Sequence, residues 1–303
     1  MVRNMSILHE QIAILALVKT TDGPWHHISR LVQSHGSAAR LTAGDFAHLR
    51  EEYLARATAL VARLDPDDMG WAERLIAATT DQDTQLITVL EEKYPSNLDF
   101  APNLQPFLWI RGQLQADDDR AVTIVGDGEH ADAQASEAAT ALARTGLTLV
   151  AGLASAVDAV VHEAALAAGG RTIAALDHGI SVPPRPENAT VAKEIAASGA
   201  LVSQFWPNAS TTDETIMLSR IVTSGLAEAV FVADGHEDGV AAAQTEVALK
   251  QGKHVFVPQR LQQEQPWVAR LGFRGGITAV QDIDDLSTQV VNLIDMTRQS
   301  TIF

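Results

Sequence analysis

The chain has 303 residues, of which 46% are hydrophobic, and this is enough apolar sequence to bury one large core or two of ordinary size. Its formal net charge of -16 opposes broad contact with nucleic acid, because Lys and Arg side chains that neutralise phosphates supply most of the affinity for a polyanion. The absence of cysteine excludes disulfides, thiolate zinc sites and a cysteine nucleophile, and it agrees with the cytoplasmic location that we expect.

The first 92 residues are predicted to be helical. Apolar residues there recur at intervals of three and four, as Ile28, Leu31 and Val32 do. The apolar run at 12–18 is too short to span a bilayer, so we interpret it as part of a core helix and expect no membrane contact. A Gly-Pro turn at 21–24 separates the first two helices. Such a turn can hold a DNA phosphate, but Trp-His-His follows it instead of small and basic residues, so a structural turn is favoured.

From residue 93 the sequence predicts a different architecture. A segment rich in Pro and Asn ends in a short apolar strand at 107–110. Further strands are predicted at 121–126, 148–152, 172–176, 200–205, 229–234 and 254–258, with helices near 133–144, 157–168, 190–198, 216–224 and 241–251. Apolar strands that alternate with helices indicate a doubly wound, mostly parallel α/β sheet. We therefore expect a helical domain at 1–92 and a sheet domain at 93–303.

Ligands of such sheets bind beyond the carboxyl ends of the strands, where this sequence places glycine and polar residues. The candidate binding residues in these loops are Gly126, Asp127, Gly128, Gly152, Ser155, Ser203, Asp238 and Gly239. Glycine lets a ligand approach the backbone, and the N–H groups at a helix start suit an anion. Any one loop is equally well explained as a simple turn, but five polar loops at one edge favour a binding site. The carboxylates among them would repel a bare phosphate.

Two residues on the helix that follows the second strand of the sheet domain, Asp158 and His162, are four positions apart and face the same way. They can pair, form a helix cap or share a ligand. A metal site would need a third ligand, and the second His of H-E-x-x-H is missing, so we predict no metal. The run GDGEHA has Ala131 where a dinucleotide motif has its third glycine. Because hydrolase and NTPase motifs are also absent from the sequence, we predict neither a cofactor nor an enzyme.

Several short motifs occur in an order that carries a family resemblance. They are Tyr94-Pro95 before 106–112, Ile124-Val125-Gly126, Gly152-Leu153-Ala154 with Asp158 and His162, Gly170 to Ala174 with Gly179, Asn188, Arg220-Ile221-Val222 with Gly225-Leu226, and Asp238-Gly239. Over nearly its whole length the chain resembles the DprA/Smf family of DNA-processing proteins. The resemblance implies an extended Rossmann-like fold after a SAM-like helical domain. It also implies single-stranded DNA binding in a basic pocket, a homodimer, and transfer of the strand to the RecA recombinase during transformation.

The departures from the family pattern fall on its arginines. Gly128, Ser155 and Leu218 stand where the family has Arg, Ser219 replaces an Asn, and only Arg220 remains. Between residues 121 and 280 there are 10 Lys and Arg against 17 Asp and Glu. The cations predicted to form a reduced basic patch beside the glycine loops are Arg220, Lys253, Arg270 and Arg274. No C-terminal winged helix is expected.

Three functions remain open from the sequence. The motif order favours a non-enzymatic DprA-like protein that binds single-stranded DNA and acts with a RecA-like recombinase. The missing arginines and the acidity favour a DprA-like antitoxin that neutralises a partner toxin in an anti-phage system, since an acidic surface can complement a basic partner. A nucleotide sensor or N-glycosidic enzyme is the weakest alternative, because the phosphoribohydrolase signature is absent from the sequence.

Overall fold

The computed structural model describes residues 2–47, 49–80, 83–99 and 101–300. The chain divides into two compact units, one made of residues 1–94 with 102–111 and the other of 95–101 with 112–303. The domain boundary between residues 92 and 93 stays a prediction. In the part of the chain that is described, no helix combines the length and apolar character that a membrane crossing requires.

The first unit is mainly helical. Its elements are α1 (Val2–Lys19), α2 (His26–His35), α3 (Ala38–Thr42), α4 (Glu51–Val61), α5 (Asp68–Thr80), β1 (Thr84–Thr88) and β2 (Phe107–Gly112). Ala13 to Val18 are fully buried in α1, in agreement with the predicted core helix. Gly36 ends α2 in the left-handed conformation, with φ at 82°.

A strand, β1, lies inside the stretch that the spacing predicts as helix. It pairs with β2 in antiparallel fashion, with Thr84 opposite Arg111 and Thr88 opposite Phe107. Its residues Leu86 and Ile87 are consecutive apolar positions and both are buried. A short apolar run of this kind fits a buried strand as well as a helix segment, and only the long-range pairing with β2 decides between them.

The second unit is the predicted α/β domain. Its helices are α6 (Ser96–Asp99), α7 (Ala131–Arg144), α8 (Ala156–Ala167), α9 (Ala189–Ser198), α10 (Asp213–Gly225), α11 (Val240–Lys250), α12 (Gln259–Glu264), α13 (Pro266–Leu271) and α14 (Ile283–Ser300). Its strands are β3 (Ala121–Gly126), β4 (Thr148–Ala151), β5 (Thr172–Ala175), β6 (Ala200–Ser203), β7 (Ala229–Asp234), β8 (His254–Pro258) and β9 (Ile277–Val280). Every predicted strand and helix of this domain is present within a few residues of its predicted bounds.

These seven strands are parallel and follow the order β6-β5-β4-β3-β7-β8-β9. The chain runs outward from β3 to β6 and then restarts on the other side of β3, so the switch point lies between β3 and β7. The predicted Rossmann-like α/β fold class is confirmed. Strand β9 was not predicted, because it is short, mostly half-buried and preceded by two glycines.

Small side chains let the helices lie close to this sheet. In α7, Ala131, Ala135, Ala138 and Leu142 are buried at helical spacing against the strand residues of one core cluster. Leu286, Val290 and Ile294 of α14 recur every four residues and join the same cluster. The core therefore fixes where the strand-end loops lie.

Candidate nucleic-acid interface

Two aspartates cross-cap the helices at the switch point. Asp127 follows β3, and its carboxylate oxygens accept hydrogen bonds from the amides of His236 and Ala241, at 3.1 Å each, at the start of α11. Asp234 ends β7, and its Oδ2 accepts a hydrogen bond of 3.0 Å from the His130 amide at the start of α7. Each carboxylate thus occupies the helix N-terminus where a phosphate binds in many α/β proteins.

The glycines of these loops make room for the aspartates. A Cβ on Gly239 would lie 2.0 Å from Asp127 Oδ2, and a Cβ on Gly128 would lie 2.4 Å from Asp234 Oδ2. Gly126 is buried, and its Cβ would lie 2.8 Å from that of Ala131. Gly126, Asp127, Gly128 and Gly239 are therefore brought together as predicted, but the close approach that the glycines allow is to the chain's own carboxylates.

The charge of Asp234 is stabilised locally. Burial opposes its ionisation, but the hydrogen bond from the His130 amide and the guanidinium of Arg260 together hold the pKa of Asp234 below its ordinary value. Arg260 Nη2 lies 3.1 Å from Asp234 Oδ1. The Asp234 carboxylate is therefore ionised at neutral pH, paired with Arg260 and bonded to the amide at the start of α7.

In the turn between β4 and α8, a carboxylate again accepts hydrogen bonds from amides at the start of a helix. Ser155 Oγ accepts a hydrogen bond from the Asp158 amide at 3.1 Å, and Asp158 Oδ2 accepts bonds from the amides of Ala154 and Ser155, at 3.0 and 2.8 Å. This capping box uses the amides that the sequence suggested for an anion. A Cβ on Gly152 would lie 2.9 Å from Asp158 Oδ2.

His162 stabilises this turn from its buried side. It is fully buried, with Nε2 2.7 Å from the Gly152 carbonyl oxygen and Nδ1 2.7 Å from Thr172 Oγ1. Burial lowers its pKa more than the Gly152 carbonyl and the charge of Asp158 raise it, so the imidazole is neutral. Since a carbonyl only accepts, Nε2 carries the hydrogen of the neutral ring, and the Thr172 hydroxyl lies between two acceptors, His162 Nδ1 and the Leu149 carbonyl at 3.0 Å. His162 is a structural residue in this arrangement.

A loop after β5 completes the turn. Asn188, which is buried, donates from Nδ2 to the Leu153 carbonyl at 2.8 Å. Arg185 donates from Nη1 to the Ala154 carbonyl, although the Arg185 side chain is exposed. The guanidinium of Arg185 therefore lies one residue from Ser155, the position where the resembled family has an arginine. The exposed guanidinium is positioned to bind a phosphate at the mouth of the turn.

Arg185 is the site residue that sequence reasoning missed. It stands between Pro184 and Pro186 in the loop after β5, and an arginine held by flanking prolines at a strand end was the available signal. Of the predicted residues, Gly152, Ser155, Asp158, His162 and Asn188 are brought together at this turn.

Ser203 and Asp238 lie apart from the turn. Ser203 is buried at the end of β6, where its hydroxyl donates to the His178 carbonyl at 2.7 Å and accepts from the Phe205 amide at 3.2 Å. Asp238 is exposed in the loop before α11. Ser203 is fully occupied by the backbone and is not available to a ligand.

The predicted basic patch is corrected in two places. Lys253 precedes β8, at the sheet edge opposite the glycine loops, and it is buried with Nζ 3.1 Å from the Asn97 carbonyl oxygen. Burial lowers its pKa, and the charge of Glu228 only partly opposes this. Arg270 lies near the loops but forms an ion pair of 2.6 Å with Glu237. These cations were expected to be free because sequence does not show their partners.

Arg220 remains available. It is partly exposed on α10, and its side chain makes no hydrogen bond or ion pair with any residue that the structure describes. The side chain of Arg274 lies outside the described part of the molecule. Among the described residues, no three His, Asp or Glu side chains are grouped as metal ligands would be.

The comparison with protein families decides the relationship. The family model for DNA recombination-mediator protein A matches residues 85–291, which is more than half of the chain. The chain belongs to this family. Family membership confirms the predicted relationship to the DprA/Smf proteins, and DNA processing protein DprA of Bacillus subtilis is 28% identical over 188 residues, covering 60% of this chain and 63% of its own.

Solved structures of the DNA recombination-mediator family show the same fold. DNA processing protein A of Streptococcus pneumoniae matches with a TM-score of 0.68 at 20% identity, covering 91% of this chain and 96% of its own. DNA processing protein A of Helicobacter pylori, described with a unique single-stranded DNA binding mode, matches with a TM-score of 0.59 at 22% identity, covering 69% and 96%. In sequence, the chain spans 45%, 47% and 63% of the length of three curated relatives.

Proposed function

We propose that the protein is a non-enzymatic DNA-processing protein that binds single-stranded DNA and acts with the recombination machinery. The observation that carries this proposal is the family match over residues 85–291. The single-stranded DNA binding of the Helicobacter pylori relative supports the choice of ligand. A homodimer and a RecA-like recombinase as partner belong to the same proposal, together with a helical domain at 1–92 and a Rossmann-like domain at 93–303.

The capped helices determine which groups of the protein can bind a DNA phosphate. Asp127, Asp158 and Asp234 occupy the amides at the starts of α11, α8 and α7, so a DNA phosphate has to be bound by side chains. The exposed guanidinium of Arg185 and the unpaired Arg220 are the side chains suited to this. Guanidinium groups bind phosphate oxygens in bidentate fashion, which gives strength without base recognition.

The two alternatives have less support. The carboxylates of Asp127 and Asp234 at the switch point oppose a bound nucleotide, because they already accept hydrogen bonds from the backbone amides that its phosphates would need. The Bacillus subtilis relative carries a DNA-processing name, and neither its name nor that of the Synechocystis relative, protein Smf, supports a toxin-neutralising role.

Fluorescence anisotropy with a labelled poly-dT strand tests the proposal. We expect wild-type protein to bind at low salt, and Arg185→Ala and Arg220→Ala each to weaken binding several-fold. Each should lower the slope of log K against log salt by about 0.7, the contribution of one single-strand phosphate contact. Lys193→Ala is the matched control, since Lys193 is an exposed cation on α9 and is not one of the residues that form or bond to the β4–α8 turn among the hydrogen bonds of the described residues.

Two results would contradict the proposal. If the wild-type protein did not bind poly-dT at low salt, single-stranded DNA would be the wrong ligand. Equal weakening by Lys193→Ala and Arg185→Ala would show a response to net charge alone, and the proposed contact at the β4–α8 turn would then be wrong.

A further inference from the structure

The helical unit contains a cavity of about 230 Å³ between the turn that joins α1 to α2 and helix α4. Gly23, Pro24 and His27 line it on one side. Arg56 and Arg63 line it on the other. The cavity therefore lies beside the Gly-Pro turn for which the sequence favoured a structural role.

The residues of α4 and of the turn after it that line the cavity, including both arginines, lie on one face. Arg56, Ala59, Leu60 and Arg63 follow one another at intervals of three, one and three, so they lie on one face over two turns. The chain continues past the end of α4 as a tight turn, with the Arg63 amide 3.1 Å from the Leu60 carbonyl oxygen. The result is an apolar floor with a guanidinium at each end.

These two arginines lack the carboxylate partners that other cations of the unit have. Arg40 lies 2.7 Å from Asp45, and Arg74 lies 2.8 Å from Asp67. Arg56 and Arg63 form no ion pair with any described residue, and residues 53–64 include no Asp or Glu. The acidic residue of the turn itself, Asp22, is exposed and is not among the residues that line the cavity.

The segment that contains the cavity residues carries more positive than negative charge, although the whole chain is acidic. Residues 19–63 hold six Lys and Arg against four Asp and Glu, whereas the whole chain has a formal net charge of -16. His26 responds to this surrounding charge: burial lowers its pKa most, and the charges of His27, Arg30 and Arg56 lower it further. A bound anion would relieve that repulsion.

We infer that this cavity binds a phosphate group, and that through it the helical unit holds the backbone of the DNA strand. Two guanidiniums that line one space supply donors to phosphate oxygens, and no Asp or Glu is among the residues that line the cavity. The nucleic-acid part rests on the proposed function. The phosphate site does not.

A titration of the full chain with inorganic phosphate tests the site directly. The side-chain Nε–H signals of Arg56, Arg63 and Arg74 are assigned by NMR from single Arg→Ala variants. We expect phosphate to shift the signals of Arg56 and Arg63 with saturation, while that of Arg74, which is held by Asp67, stays in place. Equal, non-saturating shifts at all three would overturn the site.

Anisotropy with labelled poly-dT then tests the nucleic-acid part. The double variant R56A/R63A is expected to bind on the order of tenfold more weakly, with the salt slope lower by about 1.4 for two lost contacts. R74A in the same unit should stay within about twofold of wild type, and urea denaturation checks that all variants are folded.

The two measurements separate the possible failures. If the wild type binds no DNA, the proposed function and the nucleic-acid part both fail, and the phosphate titration still decides the site. If phosphate shifts Arg56 and Arg63 but R56A/R63A binds DNA as the wild type does, the strand is the wrong ligand and the cavity takes a small phosphate compound.

Discussion

At the residue scale, the reciprocal helix caps formed by Asp127 and Asp234 stabilise the fold and also occupy amides that a phosphate ligand would need. Each carboxylate satisfies the amides at the start of the helix that follows the other strand. Asp127→Ala is expected to lower the free energy of unfolding by about 1 to 2 kcal/mol, because two amides near the start of α11 lose their acceptor. Urea denaturation monitored by circular dichroism measures this.

The control for that substitution is Asp238→Ala. Asp238 lies exposed in the loop before α11 and changes the net charge by the same amount. It should alter the free energy of unfolding by less than about 0.5 kcal/mol. If both variants unfolded at the same urea concentration, the Asp127 cap would contribute nothing to stability.

At the element scale, His162 joins three elements. It lies on α8 and contacts the Gly152 carbonyl after β4 and the Thr172 hydroxyl on β5. Because its pKa is lowered on folding, the unfolded chain takes up the proton first as the pH falls. We therefore expect the free energy of unfolding to fall as the pH drops below about 6.5, by up to about 1.4 kcal/mol per pH unit for this group.

The variant His162→Gln isolates that contribution. Glutamine can still donate to the Gly152 carbonyl but does not titrate. His26 and His254, whose pKa values burial also lowers, give both proteins a remaining pH dependence. Urea denaturation at a series of pH values should show a shallower slope for the variant. Identical slopes in the two proteins would contradict a buried neutral His162.

At the scale of the whole molecule, the net charge of -16 limits the affinity for DNA. Four arginines that have no carboxylate partner among the described residues carry the proposed contacts with the strand: Arg56, Arg63, Arg185 and Arg220. Four single-strand phosphate contacts predict a slope of log K against log salt of about -2.8. Affinity should thus fall on the order of fiftyfold between about 50 and about 200 mM salt.

Anisotropy titrations across that salt range measure the slope. A slope twice as steep would require cations beyond these four and would contradict the assignment. A slope near zero would show that phosphate contacts do not drive binding.

The sequence by itself determined the parallel sheet, its helices and the edge that carries the glycine and polar loops of the candidate site. Apolar runs of four to six residues, separated by helical spacing, have one stable arrangement, so β3 to β8 were predicted close to their observed bounds. The motif order also indicated the family. Strands β1 and β9 were missed, because short runs at sheet margins carry a weak local signal.

The tertiary structure alone decided which charges are available. Lys253 and Arg185 are both cations in loops of the sheet domain, yet Lys253 is buried against the Asn97 carbonyl and Arg185 is exposed and bonded to the Ala154 carbonyl before α8. Likewise, Asp127 and Asp234 are capping residues only because β3 and β7 are adjacent, although they are 107 positions apart in sequence. Side-chain partners depend on contacts between distant segments, and these contacts exist only once the sheet has formed.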